Sequence, residues 1–239
     1  MISIVCPFYE EKPNLKELAE RLGKAAGQLR EPWEILFVDD GSRDGGGEDL
    51  KALISSDSRM RLVRLEKNSG LTAAFWAGFR HAQGEILVTL DSDLQNPPEE
   101  IPRLVELLKD SGVDIVAGVR QRRRDDWLKR ASSKIAKKIR RFVTGDSMED
   151  VGCSLRVFKT VTLTAFLPYK GMHRFFLTLA EADGFKILQA PVAHDLRRRG
   201  RSKYGLRNRL FGPLRDLFMV KWLLLRRIRY QTRSIPRDA

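Results

Sequence analysis

Glu85-Ile86-Leu87-Val88-Thr89-Leu90-Asp91-Ser92-Asp93-Leu94-Gln95-Asn96-Pro97-Pro98 is the stretch on which the fold turns. An apolar run passes directly into two carboxylates at i and i+2, and then into a proline pair suited to the first turn of a helix. A buried strand that ends in acidic residues and feeds a helix is one half of a βαβ unit. The same logic recurs on both sides. Apolar strands are predicted at Ile2 to Cys6, Glu34 to Val38, Met60 to Leu65, Glu85 to Leu90 and Asp114 to Gly118. Helical spacing fills Asn14 to Leu29, Thr72 to His81 and Pro98 to Leu108. The expected class is therefore α/β, with an open, mostly parallel sheet flanked by helices.

In such sheets ligands bind outside the carboxyl ends of the strands. Four polar strings fall there. After the fourth strand, Asp91 and Asp93 project to the same side and can share a hard divalent cation, although Asp93 or Asn96 could instead cap the following helix. After the second strand, Asp39-Asp40-Gly41-Ser42 offers directional acceptors for base or ribose groups, or an ordinary turn. After the first, Pro7-Phe8-Tyr9-Glu10-Glu11 gives a ring that could stack on a base and a carboxylate for a sugar hydroxyl. After the third, Asn68-Ser69-Gly70 opens a helix whose N–H groups could face a ligand or be capped by Ser69.

The chain has 239 residues, 42% of them hydrophobic, enough for one sizeable domain with an appendage. Its net charge of +13 is unevenly distributed. Eleven basic against two acidic residues lie between Arg120 and Arg141, and thirteen against two between His194 and Arg233, which places +20 in these segments and −7 elsewhere. The partner is expected to be anionic. Cys6 and Cys153 form neither a metal-spaced pair nor a disulfide framework, and a reduced compartment is the expectation. No stretch approaches the ~20 apolar residues of a spanning helix.

Beyond Gly118 the pattern changes. Trp127 to Phe142 reads as a basic amphipathic helix with Trp127, Leu128, Ala131, Ile135, Ile139 and Phe142 near one face and Arg140 among the basic remainder. Arg174 to Gly184 is predicted helical, Phe185 to Pro191 a strand, and Arg197 to Gly205 a cationic loop. Leu206 to Tyr230 is expected to be helical apart from a break at Gly212-Pro213, with Leu214, Leu217, Phe218, Trp222 and Leu225 in one apolar stripe. This divides the chain into residues 1–205, the α/β domain with the candidate strand ends, and 206–239, a basic segment expected to dock on a membrane or on a membrane-embedded partner subunit, or else to pack its stripe against the domain.

The ordered set Pro7-x-Tyr9-x-Glu11, Asp39-Asp40-Gly41-Ser42, Asn68-x-Gly70 and Asp91-x-Asp93 resembles the family 2 glycosyltransferases of GT-A fold. Asp91 to Pro102, Gly118 to Gln121, Asp150 to Arg156 and Gly200 to Tyr204 look like the polyprenyl-phosphate branch of that family, over roughly residues 1–222. The resemblance implies an inverting, metal-dependent transferase that moves a sugar from a UDP- or GDP-linked donor to undecaprenyl or dolichyl phosphate. It implies Mg²⁺ or Mn²⁺ on Asp91, Asp93 and Gln95, and a nucleotide sugar lined by Pro7, Tyr9, Glu11, Asp39, Asp40, Asn68, Gly70, Asp91 and Ser92. Arg120, Lys129, Arg130, Ser133, Arg197, Ser202 and Lys203 match positions for the acceptor phosphate. Asp93, Arg120 and Asp150 are the expected catalytic residues, with Asp150 orienting acceptor or sugar, or serving as a turn residue. Two positions depart from the pattern: Lys129 stands for a common arginine and loses the bidentate fork, and Glu10 stands for a common asparagine.

The expected location is cytoplasmic, peripheral on the cytoplasmic face of the membrane. Two competing readings remain at this point: a family 2 transferase with a soluble or protein acceptor, and a basic nucleic-acid-binding protein. The second leaves four carboxylates at the strand ends unexplained, because they would repel a phosphate backbone, and nucleic acid is not expected as a partner.

Overall fold

The computed structural model describes residues 1–121, 137–195 and 206–226, the first nine of the last segment as backbone alone. β1 (Ile2–Phe8) and β2 (Trp33–Asp39) are buried at every position, as continuous apolar runs are when helices cover both faces of a parallel sheet. β3 (Met60–Arg64), β4 (Ile86–Thr89), β5 (Ile115–Arg120), β6 (Arg156–Lys159) and β7 (Ile187–Val192) complete the sheet, in the order β3-β2-β1-β4-β6-β5-β7. β6 runs antiparallel to β4 and β5 and the other pairings are parallel. The open, mostly parallel sheet expected from the sequence is present. The sequence reading gave no range for β6, four residues wedged between β4 and β5, and missed the helix Gly46–Ile54.

Alternation along each strand divides the core into two layers. Ile35 and Phe37 face α1 (Lys12–Ala26) and α4 (Ile101–Asp110), through Leu15, Leu18, Leu22, Leu104 and Leu108. Leu36 and Val38 face α3 (Leu71–His81) and an aromatic group of Phe75, Phe79, Phe158, Phe166 and Phe176. The Phe166 and Phe176 rings stack with centroids 4.4 Å apart, and Phe79 meets Phe158 edge-on at 5.6 Å. A second α-helix in this layer, Phe176–Ala182, follows a 3-10 turn at Met172–Arg174, so the helix expected from Arg174 starts later and is shorter.

Two expectations about the basic segments are corrected. Within the described helical residues 137–144, Ile139 is 42% and Phe142 89% exposed, whereas Arg140 is buried. Arg140 pairs with Asp146 and donates to the Met148 carbonyl, and Thr178 donates to the same Asp146 at 2.8 Å. A buried, fully partnered ion pair thus turns the helix over relative to its apolar pattern. Downstream, the helix Leu206–Leu225 runs through Gly212-Pro213 without a break. Its apolar residues also separate: Leu217 and Val220 are buried against the aromatic layer while Phe218, Trp222 and Leu225 are exposed. The missing proline N–H removes one hydrogen bond, and burial of Leu217 and Val220 at roughly 1.5–3 kcal/mol each offsets that loss.

α3 lies unusually close to the sheet because Gly78 faces β1: a Cβ there would sit 2.3 Å from Val5 Cγ1 and 3.1 Å from Val38 Cγ2. Gly78→Ala is expected to destabilise the domain by about 1–2 kcal/mol, overpacking exceeding the helix-propensity gain of about 1 kcal/mol, with a lower urea midpoint at unchanged m-value.

Candidate active site

Register brings the polar strand ends together. Phe8 pairs with Asp39 across β1 and β2, and Val5 pairs with Thr89 across β1 and β4, two residues before Asp91. The Asp40 N–H donates to the Phe8 carbonyl at 2.9 Å and the Leu90 N–H to the Val5 carbonyl at 3.2 Å. Pro7, Asp39, Asp40, Asp91 and Asp93 therefore collect at one edge of the sheet.

The Asp39-Asp40-Gly41-Ser42 turn is held from within. Asp39 is fully buried, one oxygen accepting from the Ser42 N–H at 2.8 Å and the other from Arg64 Nε at 3.0 Å. Asp40 accepts from the Asn68 amide at 3.1 Å and from the N–H groups of Ser69 and Gly70 at 2.7 and 2.9 Å. Ser69 therefore does not cap α3, and the N–H groups of this turn are taken by Asp40; Asn68 and Gly70 act on the site through that carboxylate. Burial raises the Asp40 pKa, these N–H donors oppose the rise, and the neighbouring Asp39 adds to it. Gly41 has φ +73°, and a Cβ on it would lie 2.5 Å from the Lys67 backbone, so the turn admits only glycine without rearrangement. Glu11 is buried and accepts from the Asn14 amide at 2.6 Å. Glu10 stands at φ +49°, in the left-handed region where asparagine is favoured, and its N–H donates to Ser42 Oγ at 2.8 Å.

The acidic turn after β4 is tight. Leu94 is buried with φ +59°, a left-handed conformation that costs a non-glycine residue about 1–2 kcal/mol and marks a constrained turn. The Gln95 N–H donates to Asp93 at 3.1 Å, and the Gln95 carbonyl accepts from the Asp195 N–H at 2.8 Å, which brings the end of β7 to this turn. Ser92 is buried. Ser154 Oγ accepts from the Asp91 N–H and from the Asn96 amide, both at 3.0 Å. Burial, then repulsion from Asp93, pushes the Asp91 carboxyl up to about 6, against the pull of Ser154, Arg156 and Arg120. The Cys6 thiol is also pushed up, by burial and then by Asp91 and Asp93, which puts it within the field of both carboxylates.

At the end of β5, Arg120 forms a two-pronged pair with Asp150, Nε at 2.7 Å and Nη2 at 2.8 Å. Gly152 accommodates it, because a Cβ there would lie 2.7 Å from Arg120 Nη2. Burial opposes the Arg120 charge, and the Asp150 pair outweighs it and raises the pKa. Lys129, Arg130, Ser133, Arg197, Ser202 and Lys203 lie outside the described residues.

The donor set suits a hard divalent ion. Asp91 and Asp93 offer carboxylate oxygens whose mutual repulsion a cation would relieve. Among the described residues no third His, Cys, Asp or Glu joins them in a metal-binding group.

Sequence reasoning read Asn96 only as a possible helix cap and Ser154 and Arg156 only as part of a motif, and it missed His173; their contacts join segments distant in sequence. Thr72 Oγ1 accepts from the Gly171 N–H at 3.0 Å and is hydrogen-bonded to His173 Nδ1 at 2.7 Å, the imidazole tautomer deciding which of the two donates. This fastens the first turn of α3 to the Met172–Arg174 turn.

Residues 3–163 match the model of glycosyl transferase family 2, and the chain belongs to that family. It is 41% identical over 206 residues to an undecaprenyl-phosphate 4-deoxy-4-formamido-L-arabinose transferase of Edwardsiella ictaluri, covering 86% of this chain and 63% of that protein. It is 40% identical over 217 residues to the protein of the same name from Salmonella choleraesuis, covering 90% and 66%. The chain thus spans just under two thirds of these relatives. The fold is shared with a mannosyltransferase of Pyrobaculum calidifontis solved with GDP-Man and Mn²⁺, at TM-score 0.68 and 20% identity over 96% of this chain and 65% of that one. It is also shared with glucosyl-3-phosphoglycerate synthase of Mycobacterium tuberculosis solved with Mn²⁺, UDP and glucosyl-3-phosphoglycerate, at TM-score 0.64 and 20% identity over 94% of this chain and 77% of that one. The expected GT-A fold is the one found.

Burial, with the charges of Arg174 and Arg156, holds the His173 pKa down at about 3. Between that value and the ordinary ~6.5 the unfolded chain binds the extra proton, so stability falls as pH drops through this window. The expected slope is up to about 1.4 kcal/mol per pH unit, and His173→Gln should flatten it in urea titrations between pH 4 and 7.

Proposed function

We propose that this chain carries the catalytic site of an inverting glycosyltransferase that moves a sugar from a nucleotide-diphosphate donor to a polyprenyl phosphate at the cytoplasmic face of a membrane. The observation that carries the reading is the pair Asp91 and Asp93 at the end of β4, with Asp91 within the electrostatic reach of Arg120 and Arg156, on the same edge of the sheet as the Asp39-Asp40 turn two strands away. The similarity to undecaprenyl-phosphate transferases supports the lipid acceptor.

The chemical obstacle is repulsion between two phosphorylated substrates. Asp91 and Asp93, with Gln95 beside them, would hold Mg²⁺ or Mn²⁺, which neutralises charge on the diphosphate leaving group when bound. Pro7, Tyr9, Glu11 and Asp40 frame the nucleotide. Among the described residues no partner takes Arg120 Nη1, which leaves that end of the guanidinium for a phosphate while Asp150 fixes the other. An acceptor phosphate, with a second pKa near ~6, is already ionised at neutral pH and needs no strong base. Asp150 orients Arg120, and attack opposite the leaving group inverts the anomeric centre in one displacement.

The outer face of the helix Leu206–Leu225 supports a lipid-side location. Phe218 is 65%, Trp222 56% and Leu225 73% exposed, and the Arg226 guanidinium lies 5.4 Å from the Trp222 ring centre. Aromatic residues edged by cations suit an anionic interface. No helix among the described residues is long and apolar enough to cross a membrane.

Incubation with undecaprenyl or dolichyl phosphate and a panel of UDP- and GDP-sugars is expected to give a glycolipid, with the reaction stopped by EDTA and restored by Mg²⁺ or Mn²⁺. Transfer only to water-soluble acceptors would refute the lipid assignment. Asp93→Asn is expected to retain its circular dichroism spectrum and lose about 100-fold or more in kcat; full activity would remove the metal role. Phe218→Ser with Trp222→Ser should weaken sedimentation with phosphatidylglycerol vesicles by about tenfold or more, at roughly 1.5–3 kcal/mol per buried ring, with solution stability unchanged.

A further inference from the structure

Arg156 opens β6, paired with Thr89 of β4 and Ala117 of β5. It thus lies between the strand that leads to Asp91 and the strand that ends in Arg120. Its residue is 5% exposed. The guanidinium donates Nη2 to the Val151 carbonyl at 2.6 Å, Nε to the Cys153 carbonyl at 2.9 Å and Nη1 to the His173 carbonyl at 3.1 Å. Its flank lies over Phe176, 5.8 Å from the ring centre. Among the described residues no carboxylate forms an ion pair with it. A buried cation satisfied by neutral carbonyls is costly to keep, and a purely structural position of this volume is served as well by an apolar side chain.

What the three carbonyls belong to gives the residue its role. Val151 and Cys153 sit in the loop that carries Asp150 to Arg120 and Ser154 to the Asp91 N–H. His173 belongs to the turn that receives Thr72, two residues after Gly70, whose N–H is bound by Asp40. The next residue, Arg174, pairs at 2.9 Å with Asp216 of the helix Leu206–Leu225. Metal side, nucleotide side and lipid side meet at one planar fork.

We infer that Arg156 is a positioning residue of the transfer site, fastening the 151–154 loop to the His173 turn and so fixing where Asp91, Asp150 and Arg120 stand around the diphosphate. The inference rests on the glycosyl-transfer reading above. Burial lowers the Arg156 pKa while Cys153, Asp91 and Asp150 oppose the drop, consistent with a cation facing the acidic site. Lysine keeps the charge but its compact ammonium cannot span three diverging carbonyls.

The test compares wild type, Arg156→Lys, Arg156→Met and a packing control in the opposite core layer, Leu22→Ala, by thermal midpoint, by Mn²⁺ affinity from the paramagnetic resonance of free Mn²⁺, and by steady-state transfer. Arg156→Lys is expected to fold, to lose about tenfold in kcat with the donor KM within about threefold, and to bind Mn²⁺ about threefold or more weakly, with Arg156→Met affected more. Leu22→Ala should lower the midpoint and leave kcat and Mn²⁺ affinity within about twofold of wild type. Wild-type kcat and Mn²⁺ affinity in Arg156→Lys would overturn the inference, as would the same losses in Leu22→Ala at matched stability. Absence of transfer by the wild type would instead overturn the functional reading, and the Mn²⁺ comparison would still judge Arg156.

Discussion

Negative charge crowded at one edge of the sheet is the constraint around which the rest of the molecule is arranged. Parallel pairing of β1 with β2 and with β4 brings Asp39, Asp40, Asp91 and Asp93 to one edge of the sheet, where burial and an adjacent carboxylate both oppose ionisation of Asp40 and of Asp91. The protein resolves these charges by different means. Arg64 pairs with Asp39, three donors meet Asp40, and Asp91 keeps a raised pKa that a bound cation would lower. Charge that the fold leaves unneutralised is charge that a metal–nucleotide complex can use.

The supporting elements are stiff where the site is. Left-handed turns at Glu10, Gly41 and Leu94 stand next to the acidic strings, and each is tied by local hydrogen bonds or burial. Behind them the aromatic layer of Phe75, Phe79, Phe158, Phe166 and Phe176 packs α3 and the His173 turn against the sheet. That layer also receives Leu217 and Val220 from the helix Leu206–Leu225. The face proposed to meet lipid is thereby joined mechanically to the face proposed to hold the donor.

The basic segments show how charge pattern and position separate. Arg140, one of many cations in a run, is withdrawn into a buried pair with Asp146, while Phe142 is left in solvent. The stripe expected along the helix Leu206–Leu225 is likewise divided between a buried and an exposed row. Helical spacing specifies which residues share a face, but not which face the rest of the fold covers.

The sequence by itself determined the β–α alternation, the strand ends and the four acidic or polar strings on them, because runs of apolar residues and period-2 or 3.6 patterns are local properties of the chain. It also carried the Gly41 turn, which local sterics dictate. Only the tertiary structure decided the antiparallel insertion of β6, the bidentate Arg120–Asp150 pair, the capture of the Ser69 and Gly70 N–H groups by Asp40, and the junction at Arg156. Each of these joins residues about 30 positions apart, or segments distant in the chain, and depends on strand order and register, quantities that exist only once the sheet has assembled.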